Sequence, residues 1–361
     1  MNLDSVQQRD AINYAKAFGI MCVVIGHFPN SIFNIMTPYM FHMPLFFFIG
    51  GILFKEKSWR DFSVVILNKF VVYIASTFII ISLFTLILIN IFGFSNLPNP
   101  LSWSLINIFV TTYKENFHNN SLFLVAWFLF AYMIAMTMLN FVCKLTTMLG
   151  IKNSGILISL IGIASGWFAI DYISADYRTS GDINLNYLCE FLVAFMFMSL
   201  GKVISFSVFN YISTTNATLF FLILVTLKYA GMASDISMSW SVYNHGFIDT
   251  MIQVFLCIYI VFYLSSVFSK SVKSQIILAI GKNTKPIMSY HLLIFFIVDI
   301  VLQWLMIGDY KNSTALSGHN QQAPYWALYV SCAILIPVIA SKAYSSARVE
   351  IMNIFSQSKA P

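Results

Sequence analysis

The chain has 361 residues, of which 59% are hydrophobic and only 9% charged, and it carries a formal net charge of +6. Its mean hydropathy is +0.79. These values exclude a soluble globular domain and indicate an integral membrane protein, with the lipid bilayer rather than nucleic acid as its surroundings. The five Cys are an odd number and show no C-x-x-C spacing. We therefore expect neither disulfides nor a metal site.

Apolar runs of about 20 residues predict roughly ten transmembrane helices. We expect one all-α membrane domain over residues 1–361, without a cleavable signal peptide. Residues 101–112 are shorter and mixed, which is typical of an interfacial helix. The predicted spans are 11–28, 37–54, 70–93, 121–143, 154–171, 187–204, 214–233, 247–268, 286–306 and 323–341.

The distribution of positive charge predicts the orientation of this bundle. If the N-terminus is cytoplasmic, 16 of the 20 Lys and Arg residues fall on the cytoplasmic side. Cytoplasmic loops of membrane proteins carry such an excess of basic residues. We therefore expect both termini to be cytoplasmic. The four basic residues on the other side are Lys114, Arg178, Lys228 and Lys311.

The first span carries a polar stripe. Arg9, Lys16 and His27 are separated by 7 and 11 residues, which places all three on one helix face over about 27 Å. Ionisable groups in a membrane helix are candidates for function. His42 enters the second span from the same side as His27, so the two imidazoles are expected at similar depth, with Lys16 about 16 Å deeper. Histidine can act as a general base near neutral pH.

Four more polar residues fall within or at the ends of later spans. Glu190 lies in the sixth span and Asp249 at the outer end of the eighth. Either carboxylate could orient a histidine, and the sequence does not choose between them. His291 and Asp299 lie in the ninth span, too far apart around the helix to pair directly. For His291 a packing role remains open, and Asp299 can pair with a lysine or cap a broken helix.

Two motifs in the first two spans resemble the membrane-bound acyltransferase-3 family. One is a basic residue, ten intervening residues and a histidine, here Lys16 and His27. The other is Phe-His-Met-Pro-Leu-Phe-Phe-Phe at 41–48, followed by Ile49, Gly50 and Gly51. Weaker similarities lie at 126–129, 280–284 and 290–292. The chain is most similar to short bacterial forms that are fucose 4-O-acetylase-like or polysaccharide O-acetyltransferases.

This resemblance implies a transmembrane O-acetyltransferase of the bacterial cytoplasmic membrane, with acetyl-CoA as donor substrate, no bound cofactor, and a surface glycan or its lipid-linked precursor as acceptor. His27 would act as general base, or else carry the acyl group transiently. His42 would polarise the carbonyl or position the acceptor. Lys16 would stabilise an oxyanion or hold the donor's arm.

The donor's phosphates have less certain partners. The chain has no Arg-x-x-Arg in a cytoplasmic loop, a pattern that some family members carry. Lysine binds phosphate as a point charge but lacks the bidentate fork of arginine. An orienting role as positive-inside charge explains these residues equally well. The candidates for donor binding are Arg9, Lys55, Lys57, Lys282 and Lys285.

Two other classes of protein fit parts of the pattern. In a transporter or flippase, the polar stripe would be a proton or substrate path. Against this, the two halves of the chain show no matching pair of broken helices, and the polar groups concentrate in the first hairpin. A glycan polymerase would be expected to carry a large external loop rich in Arg or His. The acceptor sugar and the oligomeric state stay open at this stage.

Overall fold

The computed structural model describes residues 3–28, 34–101, 104–322 and 324–357, with side chains described as far as residue 347. Within these ranges the chain forms helices joined by turns, with two isolated bridges between loop residues. The α-helices are α1 Ser5–Gly26, α2 His42–Leu53, α3 Trp59–Ile66, α4 Val72–Asn90, α5 Leu105–Lys114, α6 Ala126–Met148, α7 Ser154–Phe168, α8 Ser174–Ser180, α9 Ile183–Ile204, α10 Thr214–Tyr229, α11 Gly246–Val267, α12 Gln275–Lys282, α13 Thr284–Trp304 and α14 Tyr325–Gln357.

Each predicted span coincides with a helix, and the protein is an all-helical, multi-pass membrane protein. Within the described residues, seven helical segments are long and apolar enough to cross a bilayer. α1 has 22 residues, whereas α2 and α10 have only 12 and 16. These three helices are not among the seven segments. The number of crossings, and with it the side of the termini, therefore remains a prediction. The seven segments are Trp59–Asn90, Ala126–Met148, Ser154–Ser180, Ile183–Tyr211, Gly246–Val272, Thr284–Trp304 and Tyr325–Ala347.

Three of these long helices contain a π-helical turn, which hydrophobic periodicity does not predict. Leu67–Val71 joins α3 to α4, Ala169–Ile173 joins α7 to α8, and Phe268–Val272 extends α11. The helical segment that contains the third predicted span, 70–93, consequently begins earlier, at Trp59. A π turn leaves backbone groups without their usual helical partners. In the first of the three, the carbonyl of Lys69 accepts a hydrogen bond from Lys285.

α1 occupies the centre of the bundle, where it packs against α2, α11, α12, α13 and α14. Its buried face carries small residues, which let neighbouring backbones approach closely. The closest approach is by α12: a Cβ added to Gly281 would lie 1.9 Å from the carbonyl oxygen of Asn13. Lys16 and His27 of the polar stripe are thus partly buried among the helices, whereas Arg9 is exposed. The small residues on the buried face are Ala11, Ala15, Ala17 and Gly19.

α2 and α9 also make a close glycine contact. A Cβ on Gly51 would lie 2.0 Å from the carbonyl oxygen of Met198, and one on Gly201 would lie 2.0 Å from that of Phe48. Any larger residue at either position would force the helices apart. Gly50 faces the ring of Tyr132 instead. The small residues that end the motif of the second span therefore set the distance between α2 and α9.

Candidate active site

Three histidines line one cavity of about 220 Å³ where α1 ends and α2 begins. His27 follows the last residue of α1, His42 is the first residue of α2, and His118 lies in the loop before α6. The predicted proximity of His27 and His42 is thus present in the structure, with a third imidazole beside them. Every loop at this end lies on the side that the charge distribution predicts to be external. The other lining residues include Tyr39, Trp127, Trp240, Ser237, Ser239, Met288 and Leu316.

Backbone carbonyls fix the tautomers of three histidines. The Nδ1 of His42 lies 2.5 Å from the carbonyl oxygen of Pro38, that of His118 lies 2.8 Å from Asn116, and that of His291 lies 2.8 Å from Met288. A carbonyl oxygen can only accept, so each Nδ1 carries the proton and donates. Each Nε2 is left with a free lone pair, as a proton acceptor requires.

His27 differs from the other histidines. Its ring stacks on that of His291, with 5.0 Å between the ring centroids. Its buried Nδ1 has no hydrogen-bond partner among the described residues. Buried polar atoms in native structures almost always have a partner. This nitrogen is therefore free to bind a group that enters the cavity.

The carboxylate at this site is Glu190, and it does not contact a histidine. Its Oε1 accepts hydrogen bonds from the side-chain amides of Asn116 at 2.6 Å and Asn186 at 3.0 Å. Glu190 is fully buried and holds the loop that carries His118. Asp249 lies in the first turn of α11 and is not among the described lining residues of the cavity. Of the two predicted carboxylates, only Glu190 is joined to the site.

Asp235 is a second carboxylate near the cavity, and sequence reasoning missed it. It accepts a hydrogen bond from the hydroxyl of Thr37. Thr37 lies two residues before Tyr39, which lines the cavity beside His42. Asp235 lies in an irregular loop, where no periodicity marks a residue as facing the interior. Its contact with the segment before α2 links two loops at the cavity.

Asp299 forms a second buried cluster, with a partner that was not predicted. One carboxylate oxygen lies 2.8 Å from Nδ1 of His319, and the other accepts a hydrogen bond from the hydroxyl of Tyr329. Among the described residues Asp299 thus pairs with a histidine and a tyrosine, whereas a lysine was one of the two roles that the sequence left open. His319 packs on Phe28, the residue after His27, with 6.2 Å between ring centroids. This cluster fixes the loop before α14 against the C-terminal end of α1.

A larger cavity of about 630 Å³ lies at the other end of α1. Its lining includes the basic residues Arg9, Lys16 and Lys55, together with residues at the ends of α2 and α9. Arg9 and Lys55 are exposed, whereas Lys16 is partly buried. Three positive charges around one opening suit a polyanionic ligand such as a phosphate group.

A third cavity of about 250 Å³ lies between the other two. It shares Lys16 with the cationic cavity and Met288 with the histidine cavity. Lys69 and Lys285 line it as well, and the ammonium of Lys285 lies 2.6 Å from the Lys69 carbonyl and 3.4 Å from the ring centroid of Tyr73. The three cavities therefore follow the polar face of α1 from Arg9 to His27.

Two predicted donor-binding residues lie outside these cavities. Lys57 is exposed, and its backbone N–H donates to the side chain of Asn140. Lys282 is exposed and lines none of the three cavities, although it is close enough to Lys16 for the two charges to repel. Arg9, Lys16, Lys55 and Lys285 are brought to the cavities. Lys69 also lines the middle cavity, which the sequence did not predict. It lies in the π turn, and its carbonyl accepts the hydrogen bond from Lys285.

The comparison with known families identifies the class of protein. The model of the acyltransferase domain family, acyltransferase-3, matches residues 9–342. The chain belongs to this family and is a membrane acyltransferase. No curated protein and no solved structure shows a significant match to it.

Proposed function

We propose that this protein transfers an acetyl group from cytoplasmic acetyl-CoA to a hydroxyl of a cell-surface glycan or of its lipid-linked precursor. Membership in the acyltransferase-3 family supports the reaction class. The donor and the acceptor are those that the family resemblance implies, and the arrangement of the cavities supports this assignment.

The observation that carries this proposal is the series of three cavities along α1. The cationic cavity with Arg9 and Lys55 suits the phosphates of coenzyme A. The middle cavity is mostly apolar and passes between Phe46, Phe128 and Leu129. Its three lysines, Lys16, Lys69 and Lys285, lie among these apolar side chains, so the cavity can admit the arm and the thioester of the donor. The histidine cavity at the far end then receives the acyl group.

The chemistry follows from the free nitrogen of His27. A ring nitrogen of His27 accepts the proton of the acceptor hydroxyl while the hydroxyl oxygen attacks the thioester carbonyl carbon. The C–S bond breaks, coenzyme A leaves as its thiolate, and the proton on His27 passes to that sulfur. His42, whose Nδ1 is held by Pro38, positions the acceptor through Nε2. Stacking on His291 holds the ring of His27 in place.

The proposal is tested in a deletion strain of the source organism, complemented with wild type or with His27→Ala. We expect mass spectrometry of the surface glycan to show loss of acetyl groups in the deletion strain and their return only with wild type. His245→Ala serves as the matched control, because His245 is exposed and precedes α11, outside the three cavities. Full acetylation with His27→Ala would remove His27 from the chemistry.

The same strains separate this proposal from a transporter or flippase. A transporter would leave the acetyl-CoA thioester intact, whereas the proposed enzyme releases free coenzyme A in the presence of acceptor. Release of coenzyme A by purified protein is followed with a thiol reagent. A glycan that loses acetyl groups, together with purified protein that never cleaves the thioester, would favour transport.

A further inference from the structure

The ring of Trp240 contacts that of His118 at the outer rim of the histidine cavity. The ring centroids are 4.6 Å apart and the planes are inclined by 39°. Both side chains line the cavity and are only partly buried. The transfer chemistry assigned to His27 and His42 uses neither of them. Two rings that stay accessible at the entrance of a buried site have the position of a binding platform.

A buried network holds this pair of rings. Asn116 and Asn186 each donate from Nδ2 both to Glu190 and to the carbonyl of Ser239. Asn116 also accepts, through its backbone carbonyl, the hydrogen bond from Nδ1 of His118. Glu190 on α9 therefore ties the loop of His118 to the loop of Trp240.

Both loops contain residues in the left-handed backbone region. Asn116 and Phe117 have φ values of 47° and 67°, and Ser241 has a φ of 48°. Asn tolerates this region, but for Phe117 and Ser241 it is unfavourable and persists where surrounding contacts enforce it. These three residues directly flank His118 and Trp240. The network thus maintains two strained loops, and these loops together position the rings of His118 and Trp240.

The chemistry of the cavity indicates what binds there. None of its described lining residues is Lys, Arg, Asp or Glu, so it favours a neutral ligand. An indole face attracts the weakly positive C–H groups of a sugar ring. Nε2 of His118 and the hydroxyls of Ser237 and Ser239 can hydrogen-bond sugar hydroxyls. The volume of about 220 Å³ is below that of sites for drug-sized ligands and suits one ring rather than an oligosaccharide.

We infer that Trp240 and His118 form the acceptor subsite, which binds one neutral sugar ring, and that Glu190 positions both side chains. This inference rests on the proposed function, since it names the part of the acceptor that enters the site.

The test measures label transfer from radiolabelled acetyl-CoA by purified protein, with a glycan–lipid extract of the deletion strain at graded concentrations as the acceptor. We expect Trp240→Ala to raise the apparent KM for the extract roughly tenfold, with a smaller change in kcat and in the KM for acetyl-CoA. Trp240→Phe keeps an aromatic face and should lose only a few-fold. Trp167→Ala, which removes an exposed tryptophan of α7, is the matched control.

Glu190 is tested by rescue. The side-chain oxygen of Glu190→Gln can accept the same two amide hydrogen bonds, so we expect this variant to keep most of its acceptor affinity. Glu190→Ala should resemble Trp240→Ala in its KM for the extract. Elution as a single monodisperse species shows that each variant is folded.

The outcomes separate the two claims. An unchanged acceptor KM in Trp240→Ala, with transfer still active, would overturn the subsite and leave the proposed function standing. An equal rise in the KM values for acceptor and acetyl-CoA would also overturn it. If wild type transfers no label to the extract, the proposed function fails and the subsite fails with it.

Discussion

The cavities at the two ends of α1 differ in charge and in how firmly their side chains are held. At one end, a cavity of about 630 Å³ is lined by exposed Arg9 and Lys55 and by Lys16. At the other, a cavity of about 220 Å³ is lined by three histidines, of which His42 and His118 donate from Nδ1 to backbone carbonyls. The first can attract a charged ligand from a distance with exposed side chains. The second fixes the direction of the Nε2 lone pairs of His42 and His118 before a ligand arrives. The comparison indicates capture at one end and positioning for reaction at the other.

The largest difference between the two ends should appear in turnover. We expect His27→Ala to lower kcat for acetyl transfer by about 10² to 10⁴-fold, the range associated with loss of a general base. The KM for acetyl-CoA should change little, because the cationic cavity is intact. Transfer by purified protein checks this, with His245→Ala expected to behave as wild type. A residual kcat close to wild type would contradict the role of His27.

For substitution of Lys16 we expect the reverse of the His27 result, a larger effect on the KM for acetyl-CoA than on kcat. It lies about 16 Å along α1 from His27, too far to stabilise an oxyanion formed there. It lines both the cationic and the middle cavity. We expect Lys16→Met to raise the KM for acetyl-CoA by roughly tenfold or more, as for loss of a charge-assisted contact, with a smaller effect on kcat. Lys152→Met is the exposed control. A fall in kcat at unchanged KM would instead indicate that Lys16 acts in the chemical step.

A smaller effect should separate Lys282 from Lys285, three residues further along the chain. Lys285 is fixed in the middle cavity by the Lys69 carbonyl and the ring of Tyr73, whereas Lys282 is exposed outside it. Lys285→Met is expected to raise the KM for acetyl-CoA several-fold through loss of these contacts and of the charge. Lys282→Met should stay within about twofold, as is typical of surface charges. Equal effects would mean that the cavity does not distinguish them.

The smallest expected effect concerns pH. Burial lowers the pKa of His118 below its ordinary value of about 6.5, outweighing its hydrogen bonds to Asn116 and Glu115 and the charge of Glu115. The neutral form of His118, with Nε2 as an acceptor, therefore predominates at pH 6.5 and above. We expect most of the rise in the acceptor KM to come below pH 6.5. His118→Asn should remove the low-pH rise, and a rise already complete at pH 6.5 would contradict a neutral His118.

Most of the helical framework could be predicted from the sequence, because bilayer thickness imposes a length and a composition on each span. The face shared by Lys16 and His27 followed from helical spacing alone. The π turns could not be predicted in this way, since they leave the hydrophobic pattern unchanged. From the sequence, Lys69 therefore appeared only to set the orientation of the protein in the membrane. In the structure, the π turn places its carbonyl within hydrogen-bond distance of the Lys285 ammonium.

The loop residues of the site were harder to predict. His118, Asp235 and His319 lie in irregular segments, where no period relates a residue to the interior. Each is placed by a contact distant in sequence: His118 through Glu190 on α9, Asp235 through Thr37, and His319 through Asp299. The only signal in the sequence was the presence of titratable residues in loops between hydrophobic spans. That signal does not tell which of them converge.

The short α2 has a consequence for the permeability of the membrane. Its 12 residues, His42–Leu53, span only about 18 Å, whereas the hydrocarbon core of a bilayer is about 30 Å thick. His42 begins this helix, and Lys55 follows its end, so the histidine and cationic cavities are separated by a septum thinner than the bilayer. Such a septum shortens the route for an acyl group, but it also shortens the route for protons and ions. Sealing it against leakage falls to the apolar side chains around the middle cavity, Phe46, Ile49, Phe128 and Leu129.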